Sequence, residues 1–115
     1  MVLSPAQDDR SRQIAILNDS FRTSFVGGTI FVTEGLHQVG DEFIKLALCA
    51  ARQFVAFTGD NDPHNEHDFG SMLVEGRNVL WKIDYYDPTM TQGSEDPANL
   101  AVTRRVLTVM LAEEY

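Results

Sequence analysis

Apolar residues along the chain follow two spacings, and the switches between them mark out the elements. Ile14, Leu17 and Phe21 recur at i, i+3 and i+7, which lays one stripe along a helix. Just upstream, Ser4-Pro5-Ala6-Gln7 reads as a helix start, with a serine cap, proline at the first helical position and glutamine completing a capping box. The spacing predicts an amphipathic, core-facing helix to about Arg22. Gly27-Gly28 breaks it, and the β-branched and aromatic run Thr29-Ile30-Phe31-Val32-Thr33 predicts a strand. Helical spacing returns from about Gly40, where Phe43, Leu46, Ala47, Ala50, Phe54 and Phe57 form a broad face ending at Gly59. Cys49 beside that face reads as a small core residue, and His37 carries no pattern.

The segment Asp60 to Asp68 is too rich in turn-forming residues for regular structure and predicts a loop. Alternation follows, with a tight turn at Glu75-Gly76-Arg77, and predicts a β-hairpin. A two-residue loop in either register makes paired positions sum to an odd number, so Met72 and Val74 share a face with Val79, Trp81, Ile83 and Tyr85. Trp81 then points into the core. The opposite face receives Phe69, Ser71, Leu73, Leu80, Lys82, Asp84 and Tyr86, and His67 enters at the same end, so that His67, Lys82, Asp84 and Tyr86 could converge. Beyond Asp87-Pro88 and a loop, Asp96-Pro97 repeats the cap-plus-proline start. Leu100, Thr103, Leu107 and Met110 then predict a helix to the C-terminus, with Glu113 and Glu114 opposing its dipole.

The expected architecture is therefore one α+β domain over residues 1–115 in the order α-β-α-β-β-α, its small antiparallel sheet packed against helices. A chain of 115 residues is long enough to bury one core without metal or disulfide staples. The single cysteine has no internal partner, the N-terminus has neither a basic nor an apolar leader region, and no apolar run approaches membrane-spanning length. A soluble, cytoplasmic protein is expected.

Charge changes the picture more. The formal net charge is -8, and residues 58–115 carry -7 of it, from four basic and eleven acidic side chains. Such a field repels phosphate backbones and favours basic protein surfaces and cations, so direct nucleic-acid binding is not expected.

The runs NDPHNEHDFG, WKIDYYDP, GSEDPA and TRRVLTVMLAEEY resemble a family of small bacterial proteins classed as domain of unknown function 3768. The resemblance is closest from Phe54 to Tyr115. It implies no assigned activity, and it implies relatives carried on plasmids, prophages and other mobile elements as well as on chromosomes.

Several chemistries compete for the loop and hairpin. Taken as a calcium loop from Asp60, the segment has Asn65 where a glycine belongs and Ser71 in place of the last bidentate acid, so the match fails. His64 and His67 with Asp62 and Glu66 supply ligands of the kind zinc or manganese uses, without the HExxH spacing. A metal-free site would use Asp84 to orient His67, with Lys82 and Tyr86 as hydrogen-bonding partners, but it lacks a nucleophile. Asp68-Phe69-Gly70 spells a kinase tripeptide without the rest of a kinase.

The reading that best fits the charge is a small acidic binding or accessory protein acting through a basic partner, and the mobile-element context that the resemblance implies makes it an expected counter-defence factor. It would present Asp60, Asp62, Glu66, Asp68, Asp84 and Asp87, with no cofactor and no membrane contact. The alternative is a small hydrolase dependent on a divalent metal at the His64/His67 loop.

Overall fold

Helix α1 (Pro5–Ser24) opens the chain, and its buried positions are Ser11, Ile14, Ala15, Asn18, Phe21 and Arg22. That is a helical stripe, but half of it is polar. The computed structural model describes residues 5–115; the expected Ser4 cap lies outside them, whereas Pro5 does open the helix. Strand β1 (Gly28–Val32) follows, then helices α2 (Glu34–Val39) and α3 (Asp41–Gln53), the hairpin β2 (Phe69–Val74) and β3 (Arg77–Tyr86), and finally β4 (Arg104–Leu111). Short 3-10 turns at Leu100–Val102 and Ala112–Glu114 flank β4. Among the described residues no helix is long and apolar enough to cross a membrane.

The fold is α+β, with helices on a four-stranded sheet in the order β1-β4-β3-β2. The sheet is mixed, not purely antiparallel, because β1 runs parallel to β4 with Ile30 opposite Leu107. The hairpin has the expected parity: Gly70 pairs with Trp81, Met72 with Val79 and Val74 with Arg77. Its two-residue turn, Glu75-Gly76, has positive φ at both positions (49° and 78°), the twist that a tight hairpin requires. Trp81 is fully buried, its indole against Gly70, where a Cβ would collide with the ring.

Three expectations are corrected. Residues 104–111 form a strand and not a helix. Arg105, Leu107, Val109 and Leu111 alternate into the core, while Leu100, Thr103, Leu107 and Met110 match helical spacing only by coincidence. A central strand with Leu107 and Val109 on one side and Val106 and Met110 on the other is apolar in both directions, so either period can be read into it. The helix expected from Gly40 to Gly59 ends at Gln53 and is preceded by a second helix. Gly40, at φ 128°, makes the corner between the two, and Phe54 is already extended as it turns its ring onto Trp81. Cys49 is exposed, because the buried positions of α3 are Phe43, Ala47 and Ala51.

All the helices pack on one side. Phe21, Leu36, Phe43, Ala47, Ala51 and Phe54 meet Val74, Val79, Trp81, Ile83, Leu107, Val109 and Leu111. The C-terminal turn is tied down by one of the two acids expected to oppose a helix dipole there. Glu114 accepts from the Thr33 hydroxyl (2.7 Å), the Leu111 amide (2.9 Å) and the Gly35 amide (3.0 Å), so its charge serves the N-terminal end of α2.

A strand at residues 104–111 makes alternate substitutions unequal. Leu107→Ala should cost about 2–5 kcal/mol in urea unfolding, and Val106→Ala, facing away from the helices, less than about 1 kcal/mol.

Candidate functional site

The chemistry-bearing residues gather where α1 meets the Asp60–Asp68 loop, and Asp62 shapes that loop. Its carboxylate is buried, and Oδ1 accepts the amides of Glu66 (3.0 Å) and His67 (3.2 Å). Asn65 and His67 both lie in the left-handed region, at φ 57° and 55°. Held non-glycine residues of this kind store strain that the surrounding contacts must offset.

That twist swings the His67 ring toward the helices. Nδ1 lies 2.9 and 3.0 Å from the two carboxylate oxygens of Asp19, and Nε2 lies 3.7 Å from Asp62. The ring stacks flat on Phe57, with centroids 3.9 Å apart and planes 1° from parallel. Asp19 also accepts from Arg22 Nη2 at 3.1 Å. Arg22 is buried, donates Nη1 to the Ala51 and Arg52 carbonyls at the end of α3, and lies over the Trp81 and Phe57 rings. One chain of contacts thus joins α3, α1 and the loop.

A second chain starts at the fully buried Asn18. Its Nδ2 donates to the Glu66 carbonyl (2.9 Å) and to the Tyr85 hydroxyl (2.7 Å), and its Oδ1 accepts from Arg105 Nε (2.7 Å). Tyr85 donates to the Glu66 carboxylate at 3.0 Å. Burial pushes the phenol well above its ordinary range, so it stays a neutral donor. Arg105 is buried, and among the described residues no carboxylate bonds it; Nη2 donates to the Pro97 carbonyl, and the guanidinium lies over Tyr85. Burial lowers its pKa.

The expected quartet divides between the two faces of the sheet. Lys82 bonds Asp84 at 2.7 Å on the face away from the helices, and that contact raises the lysine pKa. Tyr86 shares their face, opposite Arg104, while His67 is engaged on the helix side. The six acidic candidates divide as well. Asp62, Glu66 and Asp84 are engaged as described, and Asp87 accepts from the Thr89 hydroxyl and the Thr91 and Gln92 amides, which lower its pKa. Asp60 is exposed. Asp68 is half-buried, and burial, then Glu66, raises its pKa.

His64 is exposed. Among the described residues no three His, Cys, Asp or Glu side chains come together to hold a metal, so His64, His67, Asp62 and Glu66 do not form the ligand set that the hydrolase reading needs. Two clefts flank His67 and Asp19. One, of about 330 Å³, lies against Asp8, Arg12 and Asn65; the other, of about 360 Å³, lies against Arg52, Val55 and Phe57.

Asn18, Asp19, Arg22 and Arg105 carry the junction, and none was singled out by apolar spacing. Their one trace in the sequence is that 18 and 22 continue the helical stripe of Ile14 and Phe21 with polar residues.

Asn18→Ala should destabilise by about 3 kcal/mol or more in denaturant unfolding, since it strands Arg105 Nε, a charged buried donor, and removes a partner of Tyr85. Asp68→Asn tests the pH linkage. A carboxyl whose folded pKa is raised contributes stability at pH below its unfolded value and loses it as pH rises through the folded value. The variant should therefore be more stable than the parent at pH 7, and the gain should vanish below about pH 4, near the model-peptide value for aspartate; equal stability at both pH values would contradict the assignment.

No curated protein and no solved structure matches this chain. A family model described as "Protein of unknown function (DUF3768)" matches residues 32–114, which takes in Asp62, His67, Tyr85 and Arg105 but leaves α1 outside. With most of its length matched, the chain belongs to the DUF3768 family.

Proposed function

We propose that this protein is a non-catalytic binding protein, an accessory factor that engages a basic surface on a protein partner. The observation that carries this reading is the unequal burial of charge. Two of the nine basic side chains, Arg22 and Arg105, are buried, against one of the seventeen acidic ones, Asp62. The surface offered to solvent is therefore more acidic than the composition. Its field favours cationic partners and speeds their approach, especially at low salt.

The occupied state of the chemical groups supports the same reading. His67 is held between two carboxylates, Glu66 by Tyr85 and Asp84 by Lys82, so these groups are committed to the fold. A partner whose basic groove ordinarily holds a phosphate backbone fits such a surface. A role in counter-defence, as expected of a factor carried by mobile elements, would act by occupying that groove.

Co-purification from host lysate at low salt tests the proposal. The expected result is capture of a basic protein that is released as salt rises from about 0.05 to 0.5 M, where the screening length falls several-fold. Neutralising the exposed Asp60, Glu75, Glu95 and Glu113 to their amides should weaken that capture tenfold or more. Failure to retain any protein in a salt-sensitive manner would overturn the reading.

A further inference from the structure

On a chain whose acidic side chains outnumber its basic ones seventeen to nine, one cleft carries the opposite sign. It is the depression of about 360 Å³ between the end of α1 and the segment that follows α3, a volume within the range of small-molecule sites. Two guanidiniums, Arg22 and Arg52, line it against a single carboxylate, Asp19. Asp19 is already engaged, since its oxygens face His67 Nδ1 and Arg22 Nη2. The charge of Arg52 is left without a carboxylate to balance it.

Arg52 is exposed, yet it is held. Its Nε donates to the Thr23 carbonyl at 3.0 Å, and its guanidinium lies over the Phe25 ring, 5.1 Å from the centroid. Those contacts fix the plane of the side chain, while both Nη groups have no partner among the described residues. A fork held in this way offers two parallel donors in the geometry that a carboxylate accepts, and little side-chain freedom remains to be lost when a ligand arrives. Arg22 points the same way. It is 2% exposed and lines the same cleft, and its Nε has no hydrogen-bond partner among the described residues. A buried charged donor left unpaired is costly, and a negative charge in the cleft lowers that cost. The rest of the wall is apolar, with Phe57 stacked on His67 and Val55 83% exposed at the rim.

We infer that this cleft binds a small organic carboxylate with a flat apolar body, its carboxylate on the Arg52 fork and its body against Phe57 and Val55. Each part of the ligand answers a separate feature of the wall. A cation is repelled by the two guanidiniums, and an inorganic anion leaves Val55 and Phe57 in water, without the gain from covering apolar surface. The cleft shares no residue with Asp60, Glu75, Glu95 and Glu113, so loss of partner capture and loss of this binding are separate results.

Amide proton–nitrogen correlation spectra of the full chain, titrated with phenylpropionate at about 0.15 M salt, test the inference at a screening length of about 8 Å. The expected result is a set of saturable shifts centred on Thr23, Arg52 and Val55, with a dissociation constant below about 1 mM. Phenylpropylamine and phenylpropanamide keep the body and lose the anion, and acetate keeps the anion and loses the body; each should bind at least tenfold more weakly. Arg52→Gln should weaken phenylpropionate binding tenfold or more, and Arg52→Lys, which keeps the charge without the fork, should restore only part of it. Val55→Glu, at a position already exposed, should give a similar loss without touching either arginine. Arg77→Gln removes another exposed arginine, one that lies over Phe43, and should leave binding unchanged. Urea unfolding curves matching the parent's confirm that each variant is folded. Absence of saturable shifts, equal binding of the amine, or undiminished binding by both Arg52→Gln and Val55→Glu would overturn the inference.

Discussion

The structure depends on one buried amide. Asn18 occupies a position on α1 where an apolar residue would complete the stripe, and instead it binds a loop carbonyl, a phenol and a guanidinium at once. Each of those groups is costly to bury unpaired. Arg105 sits on the central strand β4 and Tyr85 on its neighbour β3, so without Asn18 the buried guanidinium, whose Nη1 already has no partner among the described residues, would lose the acceptor of its Nε as well. Arg22 does the corresponding work one turn later, joining Asp19 to the last carbonyls of α3. The polar residues of α1 thus set where helix, loop and sheet meet, and the apolar core fills in around them.

This arrangement changes the meaning of the His67 loop. A histidine facing two carboxylates, stacked on an aromatic ring and held at positive φ, has the ingredients of an acid–base site. Its neighbours give it a structural role: Asp62 ties the loop to itself, and Asp19 ties His67 to α1. Strain at His67 and Asn65 is offset by those bonds. The same commitment of polar groups inward, including two arginines, leaves the outer surface dominated by carboxylates. Arginines turned inward and exterior acidity are two sides of one distribution of charge.

Local features were legible from residue order. The hairpin register followed from its two-residue turn, because parity carries every side chain with it, and Trp81 and Val79 lie where that parity puts them. The first helix and first strand followed from spacing and glycine breaks. What could not be read was non-local. Nothing near Asn18 announces that its partners are Glu66, Tyr85 and Arg105, and nothing in residues 104–111 distinguishes a strand apolar on both sides from a helix until β1 and β3 are seen on either side of it. Gly40 does precede a helix start, but it is also the corner that ends the helix before it, a second role that rests on its φ and leaves no mark in composition.

The parallel pairing of β1 with β4 has a further consequence for how the molecule comes to be. Gly28 is registered with Arg105 and Val32 with Val109, so the first strand of the sheet bonds to the last one synthesised. Until β4 emerges, β1 has no neighbour and the β2–β3 hairpin presents an open edge, so the central strand arrives last and completes both halves together. Pairings this distant along the chain delay loop closure and slow folding. A nascent chain must therefore hold its apolar strands apart until β4 has been made.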